Sequence, residues 1–252
     1  MADGAIDPIS QFEVKTFQDL SLGGWDISIT NAAVFMLMAS VLVTAFFFMA
    51  SRKAEIVPGR VQSLGEMSYE FIADMIRSTA GEEGLKYFPL IFTLFFFILA
   101  ANLIGMWPYA FTTTSHIVVT GLLAMIVFVF VTVLGIVKNG VGWLRLFAPS
   151  GIPWPIYILL TPIEIISYFA RPLTLAFRLF ANMLAGHIML KLLVSFAAIM
   201  AGAGFLGIVG AAATVLLTVA ITALEFLVAA LQAYVFAILT CVYLSDALHP
   251  SH

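Results

Sequence analysis

Six polar residues fall on one side of a long apolar segment in the second half of the chain. A helical residue advances by about 100°, and on that geometry the six lie within an arc of about 80°. They are Glu164, Ser167, Arg171, Thr174, Arg178 and Asn182. A hairpin turn within the segment would break this alignment, so we predict one continuous helix through at least residue 182.

A second polar face follows in the next apolar segment, and its members also lie within about 80°. They are Thr214, Thr218, Thr222, Glu225 and Gln232. The two helices are joined by a short apolar turn. If their polar faces meet, we expect them to enclose a narrow hydrophilic seam.

The ionisable residues on these faces could carry ions. A charge at the bilayer centre costs at least about 2.5–3.5 kcal/mol, and such residues usually mark ion paths or relays. Arg178 stays protonated in proteins, so it cannot avoid this cost by becoming neutral. Glu164 and Glu225 are the only acids between Glu83 and Asp246. One structural ion pair would not explain a row of six polar groups, and we interpret the row as a functional path.

His187 lies about 140° around its helix from Glu164. Two interpretations stay open: an interior histidine with a satisfied hydrogen bond, or a relay that pairs with Glu225. A His–Glu pair can pass a proton because the surroundings of both groups can bring their titration near neutral pH.

The composition says what must surround these helices. The chain has 252 residues, of which 62% are hydrophobic and 10% are charged, whereas a soluble domain has about a quarter charged residues. Lipid must therefore solvate much of the surface. The net charge of −3 and the absence of a basic cluster argue against nucleic acid as a partner. We predict an all-α polytopic membrane protein.

Five passes fit the apolar runs, because a helical span needs about 20 residues and the runs show no strand alternation. The predicted spans are 31–50, 88–107 and 117–137, followed by long helices at 155–200 and 205–245. The first long helix would measure about 69 Å against a hydrocarbon core of about 30 Å, so we expect it to be strongly tilted. Residues 31–252 are predicted to form a single membrane domain.

Two segments are predicted to lie outside the bilayer. Residues 1–30 carry five acids against Lys15 and form an acidic arm. Residues 62–79 form an amphipathic helix that lies on the membrane, lies on a protein neighbour or simply connects two spans. Its apolar face holds Leu64, Met67, Phe71 and Met75, and its polar face holds Glu66, Glu70, Asp74 and Arg77.

The distribution of Lys and Arg predicts the orientation. These residues concentrate between the first and second spans and after the third, at Arg52, Lys53, Arg60, Arg77, Lys86, Lys138 and Arg145. We therefore expect the amino terminus outside and the carboxyl terminus in the cytoplasm.

The segments PLTLAFRLFANMLAGH (172–187) and EFLVAALQAYVFAILTCVYLSDALH (225–249) resemble subunit a of the F-type ATP synthases, and the likeness extends over essentially the whole chain. The resemblance implies a stator subunit with two half-channels that face a rotating c-ring in a bacterial inner membrane. It also implies b/b′ peripheral-stalk subunits as partners, besides the lipid bilayer, and protons as the only small substrate.

The resemblance implies a role for each residue of the path. Arg178 matches the arginine that faces the c-ring carboxylate, with Asn182 and Gln232 beside it. His187 and Glu225 match the histidine and the acid that are paired in the outer half-channel. The histidine comes first along this chain, as in mitochondrial-type members. Glu164, Ser167 and Thr174 match positions of the inner half-channel.

The main alternative is a secondary transporter with a midplane site, which would be expected to show internal repeats that we do not find. A membrane-embedded enzyme would need a nucleophile or metal constellation, and we predict no catalytic site, metal or cofactor in the isolated chain. Gly202, Gly204 and Gly207 spell GxGxxG, but that motif needs a preceding strand, so we predict a helix–helix turn there.

Overall fold

Helices dominate the computed structural model, which describes residues 12–18, 21–22, 25–26, 28–52, 55–107, 110–140, 142–143 and 154–248. The helices are α1 Asn31–Ser51, α2 Arg60–Gly84, α3 Phe88–Gly105, α4 Ile117–Asn139, α5 Trp154–Ala201 and α6 Gly204–Leu248. Five helical segments of this described part are long and apolar enough to cross a membrane. The all-α polytopic fold expected from the sequence is confirmed.

Helices α5 and α6 are single helices of 48 and 45 residues. At 1.5 Å per residue each is about 70 Å long, more than twice the hydrocarbon thickness, so neither can stand along the membrane normal within it. Pro162 and Pro172 lie inside α5, which continues through both. The polar row between residues 164 and 182 is therefore carried on one helix, as its alignment predicts.

Helix α6 is the centre of the molecule and packs against α2, α3, α4 and α5. Its fully buried Phe236 and Leu244 belong to one apolar cluster with Ile76 of α2 and Ile98 of α3. Helix α1 packs at the periphery, where Ala39 meets small residues of α3. Large apolar side chains on the outer faces of α1, α4, α5 and α6 are exposed, as expected for surfaces that contact lipid.

Helix α2 is held to the rest of the chain by a different face from the one the sequence indicates. Leu64 and Met67 are 50% and 55% exposed, and only Met75 of the expected apolar face is buried. Ile72 and Ile76 are fully buried instead, because α2 packs against α6. The expected apolar face is therefore mostly left available to a membrane or a neighbouring protein.

The described part of the amino-terminal arm contains two short antiparallel strand pairs. Strand β1, Thr16–Gln18, pairs with β4, Ile29–Thr30, and strand β2, Ser21–Leu22, pairs with β3, Trp25–Asp26. Thr30 caps α1 by accepting a hydrogen bond from the amide of Ala33 at 3.3 Å. The acids at positions 3, 7 and 19 lie outside the described residues.

The turn between α5 and α6 depends on glycine. Gly204 adopts φ of +82°, a conformation that side chains with a Cβ disfavour. Gly207 lies against the carbonyl oxygen of Met200, with which a methyl group at 207 would collide. Two of the glycines of the GxGxxG pattern thus allow two helices to meet closely.

We predict that Gly207→Ala lowers stability by about 1–3 kcal/mol, because the new methyl group meets backbone that cannot move aside easily. Gly210→Ala is the matched control, since a methyl group there meets only the end of the flexible Met200 side chain. Thermal unfolding of the detergent-solubilised variants measures both effects. Equal losses in the two variants would contradict the prediction.

Candidate functional site

Helices α5 and α6 pack against each other, and this contact brings His187 beside Glu225. His187 Nδ1 lies 3.7 Å from Glu225 Oε1, and the two side chains are only 12% and 6% exposed. Gly186 provides the space, because a methyl group at that position would collide with the Glu225 carboxyl. Among the described residues, neither carboxyl oxygen has a hydrogen-bond partner, and the His187 imidazole is the ionisable group beside it.

A hydrogen bond between amides joins the same two helices nearby. Asn182 Nδ2 donates to Gln232 Oε1 at 2.9 Å. Gln232 is buried, with 3% of its surface exposed, whereas Asn182 is exposed. This hydrogen bond therefore runs from a buried side chain of α6 to an exposed side chain of α5.

Helix α3 and the loop after it complete the surroundings of His187 and Glu225. Asn102 of α3 is fully buried, and its Nδ2 donates to the carbonyl of Ala229 on α6 at 3.1 Å. Thr112 Oγ1 lies 2.9 Å from His187 Nε2. The ring of Phe12, from the amino-terminal arm, lies 6.4 Å from the His187 ring between centroids.

None of the sequence patterns described above predicts a place in the site for Asn102, Thr112 or Phe12. Asn102 had a recognisable pattern, because it is an isolated amide within an apolar span. Thr112 and Phe12 had none, since threonine in a loop and phenylalanine in an arm are common in any membrane protein.

The part of the polar row nearer the amino-terminal end of α5 contains an ion pair. Arg171 Nη1 contacts Asp246 Oδ2 at 2.7 Å, with side chains 27% and 36% exposed. The guanidinium also lies 5.7 Å and 5.3 Å from the ring centroids of Tyr168 and Tyr243, within the range of cation–π attraction. Arg171 is therefore neutralised within the chain and holds α5 to the end of α6.

Arg178 is in a different environment. Its residue is exposed on α5, and no carboxylate of the described residues forms an ion pair with it. The chain thus places one arginine of the row in an internal ion pair and turns another outward.

The remaining residues of the row are not gathered with His187 and Glu225. Glu164 is half-buried, and Ser167 and Thr174 are exposed on the same helix. The Thr174 hydroxyl donates to the carbonyl of Arg171 at 3.0 Å. These three residues lie on the Arg171 side of Arg178, away from the contact between His187 and Glu225.

The threonines of the second row satisfy their hydroxyls within their own helix. The hydroxyls of Thr214, Thr218 and Thr222 donate to carbonyls four residues earlier on their own helix, at 2.8–3.0 Å. This is the usual way in which a threonine satisfies its hydroxyl inside an apolar helix. Of the second row, Glu225 and Gln232 are the members that meet polar groups of α5.

Comparison with known proteins identifies the family. The family model described as ATP synthase A chain matches residues 33–245. The chain belongs to this ATP synthase A chain family.

Two relatives show how close the similarity is. The ATP synthase subunit a of Hyphomonas neptunium is 68% identical over 245 residues, with 97% of each chain covered. That of Mesorhizobium japonicum is 51% identical over 252 residues, with both chains covered completely. Membership of the family, together with the five apolar segments, makes this chain a multi-pass membrane subunit with a role in the proton-conducting sector of ATP synthase.

We predict that Arg171→Gln lowers the free energy of unfolding by about 1–3 kcal/mol, because it leaves the Asp246 carboxylate partly buried without its partner. The double variant Arg171→Gln/Asp246→Asn is expected to lose less than the sum of the two single variants. Thermal unfolding of the solubilised protein gives the four values of this cycle.

Arg77→Gln is the matched control for this cycle, since Arg77 and its acidic partners are all more than half exposed. Its effect should stay below about 1 kcal/mol. Strict additivity of the Arg171 and Asp246 substitutions would contradict a direct interaction.

Proposed function

We propose that this chain is the stator subunit that forms two offset half-channels against a rotating c-ring and couples proton flow to rotation. The outward position of Arg178 is the observation that carries the proposal. A cation on an apolar helix at membrane depth is costly unless an opposite charge accompanies it. The described residues supply such a charge to Arg171, so we assign the counter-charge of Arg178 to a carboxylate of the c-ring.

In the proposed mechanism, protons enter from the outer side past His187 and Glu225, with Asn182 and Gln232 leading toward the open face of α5. Support comes from the 3.7 Å His–Glu contact and the 2.9 Å amide hydrogen bond, which are two polar contacts between α5 and α6, the second of them one turn from Arg178 along α5. A proton delivered there neutralises the c-ring carboxylate.

Proton release uses the other end of the row. A neutral carboxylic acid is cheap in lipid, so the ring can turn until the acid meets the inner half-channel beside Glu164, Ser167 and Thr174. Arg178 attracts the returning carboxylate and, as a fixed positive charge, keeps protons from crossing directly between the two half-channels. Each proton that crosses 100 mV releases about 2.3 kcal/mol for rotation.

Contacts near the ends of the helices support the proposed orientation, with the amino terminus outside and the carboxyl terminus in the cytoplasm. Lys138 Nζ lies 2.6 Å from Glu83 Oε2, and Asn139 donates to the carbonyl of Ala247 at 2.7 Å. These bonds bring the end of α2, the end of α4 and the end of α6 together on one side, which the Lys and Arg rule assigns to the cytoplasm. Lys53 and Arg145, which also entered that rule, lie outside the described residues.

The peripheral-stalk subunits b and b′ are proposed as neighbours of α2. The exposed Leu64 and Met67 leave an apolar surface on this helix, and the exposed acids Glu66 and Glu70 flank it. Such a mixed surface suits a protein partner better than anionic lipid.

We expect Arg178→Ala to reduce coupled ATP synthesis to background while the complex still assembles, because the side chain is exposed and makes no ion pair with the described part of the chain. Proton leakage across the membrane should rise, since the positive barrier between the half-channels is lost. ATP synthesis and proton leakage in membrane vesicles measure the two effects.

Leu173→Ala is the matched control for Arg178→Ala. Leu173 is an exposed residue of the same helix that lies well away from the polar row. It should retain synthesis and coupling. Normal ATP synthesis in Arg178→Ala would refute the assigned role.

Glu225→Gln should slow proton entry by about tenfold or more, equivalent to a barrier increase of at least about 1.4 kcal/mol. The amide cannot take up and release the proton that the carboxyl exchanges. Its rate should also depend differently on external pH, which proton-driven ATP synthesis at varied pH would show. Glu82→Gln, at an exposed surface ion pair, is the control, and an unchanged rate in Glu225→Gln would remove this residue from the path.

A further inference from the structure

The loop between α3 and α4 folds back into the molecule instead of lying over it. Thr112, Thr113, Thr114 and Ser115 are all at most 4% exposed. The segment packs against α5, and Ser115 Oγ donates to the carbonyl of Thr112 at 2.6 Å. The Thr112 side chain is thereby held in a fixed place beside His187.

The Thr112 hydroxyl has two polar neighbours. Its Oγ1 lies 3.3 Å from the carbonyl oxygen of Gly105 and 2.9 Å from His187 Nε2. The close approach to α3 needs glycine, because a methyl group at 105 would lie 2.8 Å from Thr112 Cγ2.

The single proton of the Thr112 hydroxyl limits how its two contacts can both be hydrogen bonds. A hydroxyl has one proton, and a carbonyl oxygen can only accept. The two contacts are hydrogen bonds at the same time only when Thr112 donates to Gly105 and His187 Nε2–H donates to Thr112 Oγ1. The neutral imidazole then has no proton on Nδ1, the nitrogen that lies 3.7 Å from Glu225 Oε1.

We propose that Thr112 is a positioning residue that holds neutral His187 in its Nε2–H form, so that Nδ1 is the atom that exchanges a proton with Glu225. The inference rests on the proposed function, because it concerns how the outer half-channel passes protons. In proteins the hydrogen bond at one ring nitrogen commonly sets which tautomer is present.

The proposed step is balanced within the pair. The O–H bond of protonated Glu225 breaks as an N–H bond forms at Nδ1, giving a carboxylate and an imidazolium. The return transfer restores the starting state. Nε2–H remains on Thr112 in both states. In the opposite tautomer Nδ1 would already carry a proton and could not accept one from Glu225.

The titratable and charged groups around His187 are few in the part of the chain that the structure describes. Glu225 faces it from α6, and Lys191 lies one turn further along α5. The arm contributes the ring of Phe12, and His116 lies four residues beyond Thr112 on the loop. The pH profile of a Thr112 variant also depends on these neighbouring groups. The primary measurement is therefore the tautomer of neutral His187.

The test uses the assembled ATP synthase with 15N-labelled histidine in this chain, observed by solid-state NMR, with the His187 signals assigned by comparison with His187→Gln. We expect neutral His187 to carry its proton on Nε2. Thr112→Val, which has nearly the same shape without the hydroxyl, should shift the tautomer ratio toward Nδ1–H by about five- to tenfold, the effect of one hydrogen bond. Thr112→Ser should retain the original ratio.

Function is measured on the same variants. Proton-driven ATP synthesis should fall by about five- to tenfold in Thr112→Val, with an altered pH profile, and should recover in Thr112→Ser. Thr113→Val is the matched control, because Thr113 is equally buried but is not the residue that contacts His187 Nε2.

A neutral wild-type His187 with its proton on Nδ1 would overturn the proposal, even if Thr112→Val fails to assemble. An unchanged tautomer ratio in Thr112→Val would overturn it too. A shifted ratio with an unchanged rate would show that Nδ1 is not the exchanging atom. None of these results depends on Arg178→Ala or Glu225→Gln, whose normal activity would instead refute the proposed function.

Discussion

The contact between Glu225 and His187 places two ionisable groups inside the packing of α5 against α6. A buried carboxylate without a partner is costly, so such a group becomes neutral or is paired. Gly186 supplies the space for the carboxyl, and the imidazole supplies a second site for the proton. The arrangement depends on the close packing of the two long helices around this point, and the buried loop after α3 reaches the other ring nitrogen of His187 through Thr112.

The two arginines of the polar row show how one helix face serves two purposes. Arg171 and Arg178 lie about 20° apart around α5, yet their surroundings differ. Arg171 meets Asp246 and two tyrosine rings, which makes it part of the scaffold that holds α5 to α6. Arg178 is left without an internal carboxylate in the described part of the chain, and this makes it available to a partner. The contrast is the strongest argument that the row is divided between structure and function.

The site is assembled from segments that are distant in the sequence. His187 is surrounded by α6, by the loop that carries Thr112 and by the arm that carries Phe12. The buried threonine segment contributes polar groups where apolar residues would suffice for packing. The proposed control of the proton position therefore depends on the tertiary packing rather than on any single helix.

The sequence by itself determined the membrane class, the positions of the helices and the alignment of the polar residues on α5, because these follow from apolar composition and the 3.6-residue period. It also indicated that His187 and Glu225 would pair, through resemblance to a known family. Only the tertiary structure decided that Arg171 pairs with Asp246, that Thr112 reaches His187, that α2 uses Ile72 and Ile76, and that the α6 threonines bond to their own helix. Helical periodicity fixes which residues share a face, but which face meets which neighbour depends on how all the helices pack together.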